Sequence, residues 1–462
     1  MAVNYRNSFG TWKNNLLTEW LLLGSLTLLG ALLRFTRLGV WSFWGDEVFS
    51  LRGHDDGFVV SATVTLIRLT TKLLGESEWS ARLAPAFIGT LSLPLLYFPV
   101  SRAIGRNSAL ISSALLAVST WHLYWSQNAR FYVLLLLFYT FALLAYYLSL
   151  EEDDPRLMVL SLLCLGLALK ERLLALFVVP ILVGYTLILL ALKDRRPPGL
   201  KARNLGIFFI PLIVICGAFA WPFLRDIPGW LDGFGRVNNN PFWLTAGTFY
   251  YLSLPVVLIA AFSALYFIKR GNRLAILAAL GAALPLLFIM LLSLFQYTAN
   301  RYVFITLTSW IILAGMGVAE LFRSLEGEKR ILAFGVLAIS LGVSLGDDVL
   351  YFRFQNGNRD NWKGAFEFVA RNKAPEDLVV TGNRVIAEYY LKQPVVSFSQ
   401  YSHQLLEGHP RAWFIEDLTM EELFPELRVW LRENVPLVAD FDNQVYARVF
   451  TMRVYLYQPP EQ

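Results

Sequence analysis

The stretch Arg34-Phe-Thr-Arg-Leu-Gly-Val-Trp-Ser-Phe-Trp-Gly-Asp-Glu47 follows the first strongly apolar segment of the chain. It ends in two adjacent acidic residues, Asp46 and Glu47, which come shortly after two tryptophans, Trp41 and Trp44. Tryptophan side chains concentrate at the boundary between a lipid bilayer and water, because the indole has an apolar body and a polar N–H group. The stretch therefore predicts an integral membrane protein that holds a pair of carboxylates at the edge of the bilayer.

The composition of the whole chain also indicates a membrane protein. Of its 462 residues, 56% are hydrophobic and only 16% are charged, and no ordinary soluble domain has this combination. The formal net charge of +5 comes from basic residues in short loops between apolar segments, where they orient the protein in the bilayer. We therefore expect no nucleic-acid partner. The two cysteines, Cys164 and Cys216, lie within apolar segments, so neither a disulfide framework nor a thiolate metal site is expected.

The chain contains eleven apolar segments that we predict to cross the bilayer as helices. They lie near residues 16–34, 84–102, 108–125, 131–150, 156–169, 172–192, 206–224, 248–268, 274–295, 301–322 and 331–349. The fifth segment is short, so the fifth and sixth can also form one broken unit. Lysine and arginine concentrate in alternate loops, which predicts a cytoplasmic N-terminus and, with an odd number of spans, an outer C-terminus.

This topology divides the chain into a transmembrane domain, residues 1–349, and an extracytoplasmic α/β domain, residues 350–462. The first outer loop, residues 35–83, is the longest, and a second outer loop is predicted at 225–247. Within the tail, helical spacing at residues 361–372 precedes an apolar strand at 378–381. Further strands are predicted at 395–398, 411–416, 437–441, 445–450 and 453–458, with a helix near 420–434.

The first outer loop contains an amphipathic helical pattern. Ser61, Thr65, Arg68 and Lys72 recur at helical spacing, and the residues between them are mostly apolar. A basic stripe on an apolar helix is typical of a helix lying in the head-group plane of a membrane. Packing on the transmembrane helices explains the same pattern equally well. Under either interpretation the helix borders the acidic pair.

Two further motifs combine aromatic and polar residues at the outer ends of spans. The segment 121–132, Trp-His-Leu-Tyr-Trp-Ser-Gln-Asn-Ala-Arg-Phe-Tyr, carries Arg130, and the segment 296–302, Gln-Tyr-Thr-Ala-Asn-Arg-Tyr, carries Arg301. A plain aromatic belt with one arginine extending to the interface is the alternative interpretation of the first. An arginine at an outer boundary runs against the bias of basic residues to the inside, so we expect Arg301 to have an anionic partner.

These motifs occur in an order that resembles the bacterial polyprenyl-phosphate-dependent glycosyltransferases with the GT-C fold. The resemblance covers roughly residues 16–325 and rests on four motifs, at 34–47, 75–85, 124–132 and 301–302. That group includes enzymes similar to protein O-mannosyltransferases and to aminoarabinose transferases. The resemblance implies a multi-pass enzyme of the bacterial inner membrane, with Asp46 as catalytic base and Glu47 beside it.

The chain departs from that group at two places. Many relatives carry glutamate before the Ala-Arg of the 121–132 motif, whereas this chain has Asn128. Many also carry a Pro-Pro-Leu-Tyr-like piece ahead of the first-loop helix, and residues 57–66 contain nothing similar. The choice of donor or acceptor is expected to differ accordingly.

The chemistry of such a transfer suits these residues. A sugar on a polyprenyl phosphate has a phosphate leaving group, which departs as a stable anion without a general acid, and arginines can stabilise its charge. An acceptor hydroxyl, by contrast, needs a base. We therefore assign Asp46 as the base of an inverting single displacement and Glu47 as the residue that orients it. Candidates for binding the substrate are Arg130 and Arg301, then Arg82, Lys72, Tyr132 and Tyr302.

No cofactor or metal is required by this chemistry, although the oxygen ligands of Asp46 and Glu47 suit a divalent ion. The predicted partners are a polyprenyl-phosphate-linked sugar, a lipid, glycan or protein acceptor, and the bilayer. The alternative function is a lipid or oligosaccharide flippase or transporter with an external domain. A flippase would carry ionisable residues deep within several spans, whereas in this chain the mid-span positions after Arg34 are almost free of charge and the acidic residues gather on one side.

Overall fold

The structure is a computed structural model of the chain, and it describes residues 16–53, 60–192, 196–214, 217, 240–442 and 451–459. Several predicted features lie wholly or partly outside the described residues: Cys216, the end of the span at 206–224, most of the loop at 225–247 and the strand at 445–450. The chain divides into two compact units. The first unit comprises residues 1–33, 88–122 and 135–343, and the second comprises 34–87, 123–134 and 344–462.

The described residues up to 353 are almost entirely helical. Its helices are α1 (Leu16–Phe35), α2 (Gly45–Arg52), α3 (Ala62–Leu74), α4 (Glu78–Ile104), α5 (Arg106–Ala117), α6 (Thr120–Ser126), α7 (Tyr132–Glu152), α8 (Pro155–Glu171), α9 (Val178–Ala191), α10 (Ala202–Val214), α11 (Pro241–Leu252), α12 (Leu254–Lys269), α13 (Arg273–Leu292), α14 (Leu307–Ser324) and α15 (Arg330–Arg353). Short 3-10 helices precede α9, α14 and α15 at Leu173–Phe177, Asn300–Thr306 and Gly327–Lys329.

Seven helical segments among the described residues are long and apolar enough to cross a membrane, and a bent pair adds an eighth. The seven are Leu16–Phe35, Glu78–Ile104, Tyr132–Glu152, Leu173–Ala191, Arg273–Leu292, Asn300–Ser324 and Gly327–Arg353. They match seven of the eleven predicted segments, which confirms a polytopic helical membrane protein. The total of eleven stays a prediction.

The remaining predicted spans within the described residues are shorter or broken. The segment predicted at 108–125 is two helices, α5 and α6, with a break at Val118 and Ser119. The segment at 248–268 is the pair α11 and α12, bent by 97° at Ser253, whose φ is 71°. Proline occupies the first turn of both α11 and α12, where it fits a helix start but not the interior of a continuing helix.

Within the first unit, α14 packs closely against neighbouring helices through glycines. A Cβ atom at Gly315 would overlap Ser112 of α5, and one at Gly317 would overlap Ser263 of α12. Gly281 of α13 is similarly close to Ser309 of α14. Small residues at such crossings let helix backbones approach in a membrane, where the hydrophobic effect adds little to helix association.

The second unit contains the first loop and its helix α3. Ser61 caps α3 by accepting a hydrogen bond from the Val64 amide. One face of α3 is buried, with Ile67 in an apolar cluster that also contains Phe43 and Val48. Leucines on the other face are exposed: Leu66, Leu69, Leu73 and Leu74. The helix therefore packs on its own unit with one face and presents an apolar surface with the other. Its position in the head-group plane stays a prediction.

The tail forms an α/β fold with five strands among the described residues. The strands are β1 (Leu378–Thr381), β2 (Val396–Ser397), β3 (Ala412–Glu416), β4 (Leu437–Phe441) and β5 (Met452–Tyr457), in the order β2-β1-β3-β5-β4. The first three are parallel, and β5 pairs antiparallel with both β3 and β4. The helices are α16 (Trp362–Asn372), α17 (Arg384–Leu391), α18 (Leu418–Leu423) and α19 (Pro425–Asn434).

The structure confirms the predicted α/β character of the tail and corrects two of its details. The helix predicted near 420–434 is two helices, α18 and α19, because Pro425 cannot continue a helix and instead begins a new one. Helix α17, which connects β1 to β2, was not predicted. Apolar cores lie on both faces of the sheet, with Val379 on one side and Val380 on the other.

Candidate active site

The acidic pair opens helix α2 of the second unit. Trp44 is the N-cap residue, with an extended backbone, and its amide donates to the Glu47 carboxylate at 3.0 Å. Successive side chains on a helix diverge by about a quarter turn or more, so the two carboxylates point in different directions. The Asp46 side chain is 25% exposed, whereas the Glu47 side chain is fully buried. Asp46 is therefore the solvent-accessible carboxylate of the pair.

Glu47 is held inside the protein by four hydrogen bonds. Arg82 donates to both of its oxygens at 2.8 Å, and the Ala129 amide donates to Oε1 at 2.8 Å. The fourth donor is the Trp44 amide. A second guanidinium, that of Arg359, lies 3.7 Å from Oε2. Burial by itself raises the pKa of Glu47, but the charges of Arg82 and Arg359 outweigh it, so the pKa lies below its ordinary value. Glu47 is thus a buried anion that fixes the loop.

Arg82 is fully buried, and its donors are directed at the first loop. Besides the two bonds to Glu47, it donates to the backbone carbonyl oxygens of Leu38, Trp41 and Ser42 at 3.2, 2.9 and 2.8 Å. This planar fork is the geometry in which arginine binds carboxylates most strongly. Arg82 therefore holds the first loop in place, and its contact with substrate stays a prediction.

Arg130 lies against the exposed carboxylate. Its Nη1 donates to the Asp46 carbonyl oxygen and to Ser50 Oγ, both at 2.9 Å, and its Nη2 lies 3.9 Å from Asp46 Oδ2. Only 4% of the Arg130 side chain is exposed. The neighbouring Tyr132 is also buried, with its ring centroid 3.9 Å from that of Trp125. The sequence motif around Arg130 therefore does meet the acidic pair, and Arg130 fixes the start of α2.

The other predicted binding residues are more dispersed. Lys72 is exposed in the last turn of α3. One turn earlier on that helix, Arg68 donates through Nε to the Ser50 carbonyl oxygen at 3.0 Å. Arg301 and Tyr302 belong to the first unit, in the 3-10 helix Asn300–Thr306, where the Arg301 guanidinium lies 5.4 Å from the Tyr302 ring.

Two residues that the sequence did not single out contact the first loop. Gln127 is completely buried: its amide nitrogen donates to the carbonyl oxygens of Arg34 and Thr36 at 3.1 and 2.7 Å, and its amide oxygen accepts from Trp41 and Tyr351 at 3.2 and 2.9 Å. Arg359, from the tail, contacts Glu47. Their contacts link residues more than eighty positions apart, so no local pattern pointed to them.

The arrangement limits how a metal would bind at the acidic pair. Both oxygens of Glu47 already face guanidinium or amide donors, so they are poorly placed to bind a cation. In the described part of the chain, no group of three or more histidine, cysteine, aspartate and glutamate side chains has the proximity that a metal site needs.

The comparisons with known proteins point to one fold. Residues 62–221 match the family described as dolichyl-phosphate-mannose-protein mannosyltransferase. The crystal structure of ArnT from Cupriavidus metallidurans bound to undecaprenyl phosphate matches with a TM-score of 0.61 and 17% identity, over 95% of this chain and 98% of that one. The archaeal oligosaccharyltransferase AglB from Archaeoglobus fulgidus, in complex with an inhibitory peptide and a dolichol-phosphate, matches with a TM-score of 0.55 and 11% identity, over 87% of this chain and 70% of that one. No curated protein sequence matches the chain.

These matches confirm the resemblance recognised in the sequence. The chain has the GT-C fold of membrane glycosyltransferases, with a polytopic helical domain and a small α/β domain at its C-terminal end. The matching family and structures are glycosyltransferases or oligosaccharyltransferases, which agrees with the enzyme class predicted from the sequence. The fold does not identify the reacting residues, which have to be argued from the geometry around Asp46.

Proposed function

We propose that this protein is an integral-membrane glycosyltransferase that moves a sugar from a polyprenyl-phosphate donor to an acceptor hydroxyl, with Asp46 as the catalytic base. The observation that carries the proposal is the division of labour within the acidic pair. Glu47 is consumed by four hydrogen bonds, and Asp46 remains partly exposed on a helix start that Glu47 and Arg130 fix in place.

The proposed reaction is a single displacement at the anomeric carbon. The acceptor oxygen attacks that carbon as the bond to the phosphate oxygen breaks, the acceptor proton passes to the Asp46 carboxylate, and the polyprenyl phosphate leaves as an anion. Attack from the face opposite the leaving group inverts the anomeric centre. An acceptor hydroxyl has a pKa far above neutrality, so removal of its proton during attack contributes typically about 10²- to 10⁴-fold.

The leaving phosphate needs positive charge within reach of the anomeric carbon, on the face away from the acceptor oxygen. Arg130 is the best placed candidate, because its Nη2 already lies 3.9 Å from the Asp46 carboxylate. The planar donors of a guanidinium at this position can form hydrogen bonds with a phosphate group. Lys72 and Arg301 are further candidates for the phosphate, on the strength of their motifs. The outer face of the inner membrane is the proposed location, supported by the distribution of basic residues among the loops.

The test is sugar transfer by the purified full-length protein from a polyprenyl phosphate carrying a radiolabelled hexose. The acceptor is a cell-envelope extract of a strain that lacks the gene. We expect Asp46→Asn to lower kcat by about 10² or more, because the amide cannot accept the proton. The control is Glu76→Gln, an exposed acid of the same loop, which should retain wild-type turnover. Near-normal kcat for D46N in folded protein would remove Asp46 from the mechanism.

A further inference from the structure

A second guanidinium reaches the buried Glu47 from the segment that leads into the α/β domain. Arg359 is only 4% exposed, its Nε lies 3.7 Å from Glu47 Oε2, and its Nη2 donates to the Gln127 carbonyl oxygen at 2.8 Å. Its guanidinium also lies 5.0 Å from the centroid of the Tyr124 ring. These contacts join residues that are more than 200 positions apart in the chain.

A sharp turn presents Arg359 to the loop. Asn356, Gly357 and Asn358 all have positive φ angles, of 49°, 65° and 55°. Asparagine and glycine tolerate this left-handed conformation better than other residues. A Cβ atom at Gly357 would lie 2.7 Å from the Trp41 ring, so only glycine lets the indole pack on the turn. The turn is thus built to fit the first loop.

The charges of this cluster show why the arginine is held so firmly. Arg82 and Arg359 bring two positive charges to the single negative charge of Glu47. Burial by itself lowers the pKa of Arg359, but the attraction of Glu47 outweighs it and the pKa lies above its ordinary value. Removing a guanidinium from water is costly, and this placement is compensated by contacts to a carboxylate, a carbonyl oxygen and an aromatic ring.

Two short chains of contacts lead from Arg359 to Asp46. In the first, Arg359 faces Glu47, which is next to Asp46 in α2. The Glu47 carboxylate accepts from the Trp44 amide and so caps the start of this helix. In the second, Arg359 holds the carbonyl oxygen of Gln127, three residues before Arg130, which donates to the Asp46 carbonyl oxygen. The tail thereby fixes both the helix that carries Asp46 and the arginine that contacts it.

Neighbouring residues of the tail extend this contact along the loop. The Ser42 hydroxyl donates to the Asp360 carbonyl oxygen at 2.5 Å, and the Phe43 amide donates to the Tyr390 hydroxyl at 2.8 Å. Gly45 lies against Asn383, so that a Cβ atom there would come within 3.4 Å of its amide nitrogen. Ser42, Phe43 and Gly45, which lie just before the acidic pair, therefore all contact residues of the α/β domain.

We infer that Arg359 is a positioning residue for Asp46, and that the α/β domain is through it a working part of the catalytic site. The inference rests on the proposed function for its meaning in catalysis. Arg359 acts on Asp46 only through Glu47 and Gln127, and we assign it no contact with the substrate. A displacement of a catalytic group by about 1 Å typically costs on the order of 100-fold in rate.

The test compares Arg359→Gln, Arg359→Lys and the control Arg371→Gln in the full-length protein. Arg371 is an exposed arginine of α16 whose side chain is 77% accessible. For R359Q we expect kcat to fall by about 100-fold, with a much smaller change in KM for the labelled polyprenyl-phosphate donor. R359K keeps the charge but loses the planar fork of donors, so its kcat should lie between those of R359Q and the wild type. R371Q should match wild type.

A second readout measures position without using activity. In a background with Cys164→Ala and Cys216→Ala, Asp46→Cys carries one thiol, and its rate of labelling by a charged maleimide reports access to position 46. Adding R359Q should raise this rate several-fold, because α2 loses one of its restraints. The same addition should leave the labelling of a Glu376→Cys thiol, at an exposed site of the tail, unchanged.

The outcomes separate the two proposals. Absence of transfer by the wild-type protein would count against the proposed function, and the labelling rates would still decide the positioning role. Wild-type kcat in R359Q, or a labelling rate at position 46 that R359Q does not alter, would overturn the inference. If R359Q does not fold, R359K decides: an unchanged kcat and an unchanged labelling rate in that variant overturn the inference as well.

Discussion

Replacing Glu47 by glutamine should destabilise the second unit strongly, although the two side chains have nearly the same shape. The carboxylate accepts bonds at both oxygens: Oε1 from Arg82 Nε and the Ala129 amide, Oε2 from Arg82 Nη2 and the Trp44 amide. Glutamine has one oxygen and one NH2 group. In either orientation the NH2 group meets two donors, and the charges of Arg82 and Arg359 lose their buried counterion.

The size of the effect follows from these losses. Removing one partner of a buried ion pair costs about 3–5 kcal/mol, because the other charge stays buried without compensation. For a folding unit of this size such a loss lowers Tm by on the order of 10 °C. Thermal unfolding of detergent-solubilised Glu47→Gln, followed by tryptophan fluorescence, measures the shift. The matched control is Glu388→Gln, which breaks an exposed ion pair with Arg384 and should lower Tm by little.

The pH dependence provides an independent check of the same interpretation. The pKa of folded Glu47 lies below its ordinary value, so its stabilising contribution is present above the unfolded pKa and is lost as the pH falls through the folded pKa. The difference in Tm between the wild type and E47Q should therefore narrow in acid. Equal Tm values for E47Q and E388Q at neutral pH would refute the view that Glu47 is a buried anion held by arginines.

Two other variants test parts of the fold that lie away from the acidic pair. Burial raises the pKa of Asp417 to about 7, so the folded state loses stability as the pH rises from about 4 to about 7. Asp417→Asn cannot ionise and can still cap α18, so its Tm relative to the wild type should rise between pH 5 and about 8. A Tm difference that stays constant over this range would contradict the raised pKa of Asp417. Gly315→Leu should lower Tm or abolish folding, because its side chain would overlap Ser112, whereas Gly335→Leu, with open space at its Cβ, should be tolerated.

Features that depend on local pattern were predictable from the sequence. Spans such as Tyr132–Glu152 and Arg273–Leu292 are long uninterrupted apolar runs, and length and composition suffice to identify them. The strand Leu378–Thr381 was predicted with its observed bounds, because its four residues are apolar or β-branched and follow a turn. The different directions of Asp46 and Glu47 follow from helix geometry alone.

Features that depend on distant contacts were not predictable. Arg82 looked like a candidate for binding phosphate, and only the fold shows that Glu47 and three carbonyl oxygens use its donors. Arg359 lies in a polar turn with no motif, yet it meets Glu47 and Gln127. The break between α5 and α6 also left no clear signal, because the segment 108–125 contains no proline or glycine. Tertiary packing overrode local preference there.

The central claim is that Asp46 removes the acceptor proton in sugar transfer from a polyprenyl phosphate. The most direct measurement follows both products at once: the polyprenyl phosphate released from a labelled donor, and the sugar transferred, with its anomeric configuration determined by NMR. For wild-type protein we expect equal amounts of the two products and an inverted anomeric centre, and for folded D46N the loss of both together. Retention of configuration, or transfer by D46N at the wild-type rate, would contradict the claim.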